Sequence, residues 1–367
     1  MTNFLRHASH KGLLFVAVVF TAALAAGTAL AAGALSGSGA KPPAKPLDAA
    51  VHDALAAKPV EGVTARIKFT NKLITSSNLQ GTGSNPLLTG ATGRLWAAAD
   101  GRLRLELQSD GGDAQISSDG TTASLYDAKS NTVYRMALPK PDAGKDAKDG
   151  AHGAPSLKQV QDAIAHAAES AGLSGATPTD VAGHPAYSVR ATPKRDGGLV
   201  GAAQLAWDAA TGTPLRLALY ATGTTQPVLE LTATDITYGP VDAAALAAKT
   251  PAGAKVVTVD TPSKPGSGGK AGGSSKSSFS ANAPAKLAGM ARSGVRQLDH
   301  GALVTYGQGP GGIAVLEQPA SADGKAAPPT KVVTALGTLL RFQRGGVEYT
   351  VAGSVPETVA DAAARAL

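Results

Sequence analysis

The stretch from Gly93 to Pro139 leaves this chain little freedom, because short alternating runs in it are separated by residues that turn the backbone back. Arg102 to Gln108 alternates polar and apolar without a break, so Leu103, Leu105 and Leu107 share one face of a strand while Arg102, Arg104 and Glu106 share the other. Asp100-Gly101, Asp110-Gly111-Gly112 and Asp119-Gly120 fall where the chain must reverse, and glycine supplies the positive φ that tight hairpins require. A sequential antiparallel β-meander follows, with one dry face and one wet. Such sheets can leave a face open to a ligand, and no catalytic constellation accompanies this one, so the dry face is the candidate functional surface.

Before the meander, Asp48 to Ala57 reads as a short helix capped by Asp48, with Ala50, Val51, Ala54 and Leu55 on one face. Thr64 to Thr70 follows as a strand with Ala65, Ile67 and Phe69 inward, and Asn78 to Gly90 reads as a loop. After the meander, Lys140 to Pro155 contains no large apolar residue and reads as a mobile excursion. Ser156 to Leu173 predicts a helix that lays Val160, Ala163, Ile164, Ala167, Ala168 and Ala171 against the sheet. Strands resume at Ala186 to Ala191, Gly201 to Asp208, Pro214 to Ala221 and Val228 to Thr237, with a short helix at Val241 to Lys249 and a closing run at Gly253 to Val259. Thr261 to Ser278 has the composition of a linker, which divides the chain in two. The tail predicts strands at Leu303 to Tyr306, Ile313 to Gln318, Lys331 to Phe342 and Val347 to Val351. A final helix follows, capped by Ser354, with Val359, Ala362, Ala363 and Leu367 on one face.

The amino end sets the address. Residues 1–11 carry Arg6 and Lys11, and an apolar segment, 12–35, follows, long enough to span a bilayer. Ala29-Leu30-Ala31 also fits a signal-peptidase site, so the segment is either a retained anchor or a cleaved signal, its length favouring the anchor. Residues 36–46 form a Gly/Pro spacer, and the bulk of the chain is expected outside the cytoplasmic membrane, single-pass, or secreted if the signal is cleaved. With 367 residues, 44 glycines and 23 prolines, two modest domains at 47–262 and 279–367, joined by 263–278, account for the rest. The absence of cysteine excludes disulfides, thiolate metal sites, thiol nucleophiles and an acylated amino-terminal cysteine. The net charge of +7 is dispersed and aromatics are only 4%, which argues against nucleic acid and for an anionic envelope surface.

Two phrases carry a family resemblance. One is Asp119, Gly120, Tyr126, Asp127, Asn131 and Tyr134, in the pattern D-G-x5-Y-D-x3-N-x2-Y; the other is A-G-x-x-A-Y-x-V at Ala182 to Val189. With the order of the strands, they make Leu47 to Pro262 resemble the LolA-like superfamily, the extracytoplasmic domains of the LolA, LppX and RseB/MucB type. The resemblance implies an α+β fold, an incomplete antiparallel β-barrel with covering helices, whose concave apolar face accommodates acyl chains, and it implies no enzyme and no cofactor. The chain departs from the lipoprotein members in lacking their amino-terminal cysteine, so its anchor must be the peptide itself. The tail is similar to a small α+β module of Gram-positive envelope and anti-sigma-associated proteins.

The candidate cavity consists of Leu103, Leu105, Leu107, Ile116, Leu125, Met136, Trp207, Leu215, Leu217, Leu219, Leu229 and Leu231; a filled core is the competing reading of the same residues. Trp96 and Trp207 either line that cavity or pack a helix onto the sheet. Ser38 to Lys41 has the SxxK spacing but lies in the spacer without partner motifs, and Pro265 to Lys270 only faintly matches a phosphate loop. His52, His152, His166, His184 and His300 show no ligand spacing, so no metal is expected. The sequence therefore points to a membrane-tethered, non-enzymatic protein that binds a lipid or an acylated protein. The alternatives are an envelope sensor acting on a membrane-protein partner and a scaffold with a filled core.

Overall fold

A computed structural model describes residues 41–73, 86–110, 112–128, 130–138, 155–194, 197–247, 250–259, 282–298, 301–320 and 329–367. The apolar segment 12–35, the spacer up to residue 40 and the linker 263–278 lie outside them. No helix among the described residues is long and apolar enough to cross a membrane.

The meander forms in sequence order: β2 (Ala91–Ala98), β3 (Arg102–Ser109), β4 (Gly112–Asp119), β5 (Thr122–Asp127) and β6 (Thr132–Ala137), each antiparallel to the last. The first family phrase is a set of turn makers. Asp119 Oδ1 accepts the backbone N–H of Thr121 and Thr122 at 2.8 and 2.7 Å beside Gly120 at φ 88°. Tyr126 donates its hydroxyl to Asn131 Oδ1 at 3.2 Å, and Asn131 itself sits at φ 45°. β2 pairs on its other side with β1 (Gly62–Asn71), and a Cβ at Gly93 would meet the Glu106 carbonyl at 1.9 Å, so β2 and β3 approach as only glycine allows.

The full sheet has 13 strands in the order β13-β6-β5-β4-β3-β2-β1-β12-β11-β10-β9-β7, with β8 also on β9. The later members are β7 (Ala171–Leu173), β8 (Thr177–Val181), β9 (His184–Pro193), β10 (Val200–Asp208), β11 (Pro214–Ala221), β12 (Leu229–Tyr238) and β13 (Lys255–Val259). Because β1 pairs with β12, the two halves of the sheet are continuous, and they curl until their inner faces share one apolar cluster. One expectation is corrected: the sheet is not wholly antiparallel, since β13 returns beside β6 in parallel. β7 and β8 did not stand out in the sequence. The β8–β9 hairpin turns on Ala182 and Gly183, both at positive φ (55° and 79°), the signature of the second family phrase.

The helices depart further from expectation. α1 (Leu47–Ala56) starts on Pro46, and Asp48 lies in its first turn instead of capping it, bonded to Ala49 N at 2.9 Å and to Gln161 at 2.7 Å. Ala50 is buried, but Leu55 is 52% exposed. α2 (Pro86–Thr89) is a single turn over β1, β3 and β4, inside the stretch read as loop. α3 (Leu157–Ser170) is opened by a capping box between Ser156 and Gln159, yet only Val160 of its apolar stripe is buried. It packs on α1 and β7 instead of lying along the sheet. α4 (Ala243–Leu246), capped by Asp242, covers the outer side of β2 and β3, where Arg104 donates to the Ala245 and Ala247 carbonyls.

A second sheet of seven strands follows: β14 (Lys286–Leu287), β15 (Met290–Leu298), β16 (Gly301–Tyr306), β17 (Ile313–Pro319), β20 (Val347–Gly353), β19 (Gly337–Arg344) and β18 (Thr330–Thr334), in that spatial order. α5 (Glu357–Ala366) packs on β19 and β20. Lys331 to Phe342, read as one strand, is a hairpin whose turn Thr334 ties by accepting from Leu336 N at 3.2 Å. Ser354 does not cap α5, which starts on Pro356. It reaches the first sheet instead: Leu199 N donates to its carbonyl at 3.0 Å and to its hydroxyl at 3.1 Å. Ala335 N donates to the Leu73 carbonyl at 2.8 Å. The two sheets are therefore joined by main-chain hydrogen bonds.

Candidate functional site

Alternation in β3 buries Leu103, Leu105 and Leu107 to 2–3% exposure, and the neighbouring strands add Ile116, Leu125 and Met136 to the same inner face. From the other half come Leu215, Leu229 and Leu231, with Leu217 and Leu219 half-buried against the same cluster. Trp207 stands apart. It lies in a second cluster with Ala50, Ala176 and Tyr187, where it packs α1 onto the sheet, and its indole N–H finds no acceptor among the described residues. Tyr187 beside it donates to the Pro43 carbonyl at 2.6 Å, which ties the incoming chain to the sheet. Trp96 is half-buried on the outer side, 5.7 Å below the Arg104 guanidinium.

Among the described residues the inner wall is closely packed. The opening between Val63, Ala65, Ile67, Leu95, Leu215 and Ile236 has room for about one water-sized sphere (≈ 20 Å³). Sites that take drug-sized or larger ligands run to several hundred Å³. Burying each of these leucines gains about 1.5–3 kcal/mol, and that gain is already taken by the folded chain itself.

A polar knot closes the rim of this wall. Asp208, 3% exposed, accepts Ala210 N at 2.8 Å and Thr211 N at 2.9 Å through Oδ1, and Tyr238 Oη at 2.9 Å and His184 Nδ1 at 3.1 Å through Oδ2. Burial, reinforced by the Asp208 charge, pushes the Tyr238 phenol well above its ordinary range. The carboxylate joins the ends of β9, β10 and β12 to the turn before β11. His184 also meets the Tyr238 ring edge to face, with ring centroids 5.5 Å apart, so both side chains are held on the one carboxylate. His52 and His166 are surface histidines beside Asp53 and Glu169. His152, His300, Ser38 and the Pro265 to Lys270 run lie outside the described residues. No group of three metal-ligating side chains occurs among the described residues.

A second concavity was not read from the sequence. It lies between β18, β19 and α5, has ≈ 390 Å³ of open volume, and is lined by Leu340, Phe342 and Ala364 together with Lys331, Arg341, Arg344, Asp361 and Arg365. The density of arginine in β19 and in the last turn of α5 was its only sequence signal.

Strand order and wall together define a half-barrel, one long curled sheet whose apolar inner face is shared by both halves. No protein-family model matches the chain, and no curated protein does. Among solved structures, the complex of Pseudomonas aeruginosa MucA and MucB aligns at 21% identity and TM-score 0.42, covering 87% of this chain and 94% of that one. A second MucB complex, with MucA(peri), aligns at 19% and 0.42 over the same shares. A putative outer membrane lipoprotein-sorting protein domain from Vibrio parahaemolyticus aligns at 12% and 0.21, over 55% of this chain and 95% of that one.

Proposed function

We propose that this is an extracytoplasmic, non-enzymatic protein, tethered through residues 12–35, that works by contact with a membrane-protein partner. The observation that carries this reading is the contrast between the two concavities. The inner wall of the half-barrel is filled by its own leucines, whereas the trough on the smaller sheet is open and charged. A contact protein needs an exposed docking surface and a lipid carrier needs a cavity.

A second reading, lipid or acylated-protein binding, is favoured by the convergence of eleven of the twelve expected residues on one apolar cluster or against it. It requires the two halves of the sheet to part. Native mass spectrometry of the chain extracted from its own membrane separates the two. A protein heteromer without bound lipid is the expected result, and a stoichiometric lipid adduct on the chain alone would replace the contact reading with the second.

A further inference from the structure

β18 is the outermost strand of the smaller sheet, and α5 lies over β19 and β20, so the open trough runs between the helix and the sheet margin. Its charges fall into two kinds. Lys331 is bonded to Glu357 and Asp361, each at 2.8 Å, and these hydrogen bonds hold its pKa above the ordinary lysine value. Arg341 pairs with Glu348 at 2.7 Å. Those cations are already neutralised. Arg344 and Arg365 pair with no carboxylate among the described residues. Arg344 lies 5.5 Å over the Phe342 ring and donates to the Arg365 carbonyl at 3.3 Å, which gathers two cationic residues at the carboxyl end of α5.

Like charges on one wall raise each other's energy until an anion joins them, and guanidinium takes carboxylates two-pronged. Beside them Leu340 and Phe342 offer an apolar lining, the latter stacked on Tyr349 at 5.3 Å. We infer that the trough receives an extended acidic segment of a protein partner, its carboxylates on Arg344 and Arg365 and an apolar side chain between them on Phe342. This rests on the contact reading above and names the chemistry of the partner. The shape favours a peptide over a compact headgroup, because the trough runs between a strand margin and a helix and sets an apolar lining beside its cations.

The test uses the full chain in detergent and a fluorescein-labelled peptide of alternating Glu and Val, with a Lys and Val counterpart, read by anisotropy at low and high salt. The Glu peptide binds, salt weakens it, and the Lys peptide does not bind. R344E/R365E weakens binding by about tenfold or more. R66E/K68E makes the same change in net charge on the outer side of β1 and leaves binding unchanged. Thermal unfolding is run on each variant, and if R344E/R365E does not fold, R365Q decides, with about threefold weakening expected. Wild-type affinity in the folded trough variants, equal loss in R66E/K68E, or displacement of the peptide by inorganic phosphate or phosphatidylglycerol vesicles at lower concentration would each overturn the inference. Native mass spectrometry keeps the two claims apart. A protein heteromer that persists in R344E/R365E leaves the contact reading standing and removes the trough, and a wild-type chain that holds no protein removes the contact reading itself.

Discussion

Asp208 shows how much one buried side chain can hold. Replacing it with alanine strands two backbone N–H groups and the Tyr238 hydroxyl in the interior, a loss of about 3 kcal/mol or more. Denaturant unfolding of Asp208→Ala and Asp208→Asn measures it, with the asparagine variant the milder. Tyr238 gives the same knot a pH signature. Its folded pKa lies above the unfolded value near 10, so the folded chain holds its proton longer; the stabilisation is complete below pH 10 and is lost as pH rises toward the folded value. A stability curve flat across pH 9 to 12 would contradict this. Leu105 tests the wall. Leu105→Ala should cost about 2–5 kcal/mol, and Leu105→Glu should abolish folding by burying an unpaired charge. Leu217→Glu, half-buried against the wall, should be tolerated better. A folded Leu105→Glu chain with wild-type stability would mean that the wall is wet and roomy.

At the scale of elements, what could be read in the sequence followed the strength of its periodicity. The meander was legible because leucines alternate with charge between Asp-Gly turns. β15 was not, since MARSGVRQL is exposed on both faces and Val295 is 46% exposed, so no alternation marks it. The β18–β19 turn escaped because Ala335 and Leu336 carry no turn signal and a threonine side chain does the work. The stripe of α3 is real as a pattern, but Ala163 and Ala167 are exposed, because periodicity names a face without naming what covers it. Of the candidate site, the wall was legible and the trough was not, since the trough needs α5 to fold back over the β18–β19 hairpin and no periodicity in either element shows that packing. The junction between the sheets was equally hidden. It depends on Gly198, at φ 58°, where a Cβ would stand 1.8 Å from the Ser354 carbonyl. Gly198→Ala should therefore loosen the junction while each sheet stays folded. Calorimetry should then resolve two transitions at lower and unchanged temperatures, and a single unshifted transition would show that the junction does not need this glycine.

For the whole molecule, the tether and the sidedness remain proposals that stand on residues 1–35. Protease added to cells stripped of their wall should digest the chain beyond residue 47 while a cytoplasmic control survives. Protection of that region would place the bulk of the chain on the other side.

β13 also governs the order in which the molecule can be finished. A ribosome delivers the amino end first, yet β1 acquires its second neighbour only when β12 emerges, and the open margin of β6 stays bare until Lys255 to Val259 arrive. The strands made earliest are thus among the last to be enclosed, and such late, long-range closure is slow. A nascent chain halted before Lys255 would carry an adhesive β6 margin, so interrupted synthesis of this protein should favour aggregates over a smaller folded domain.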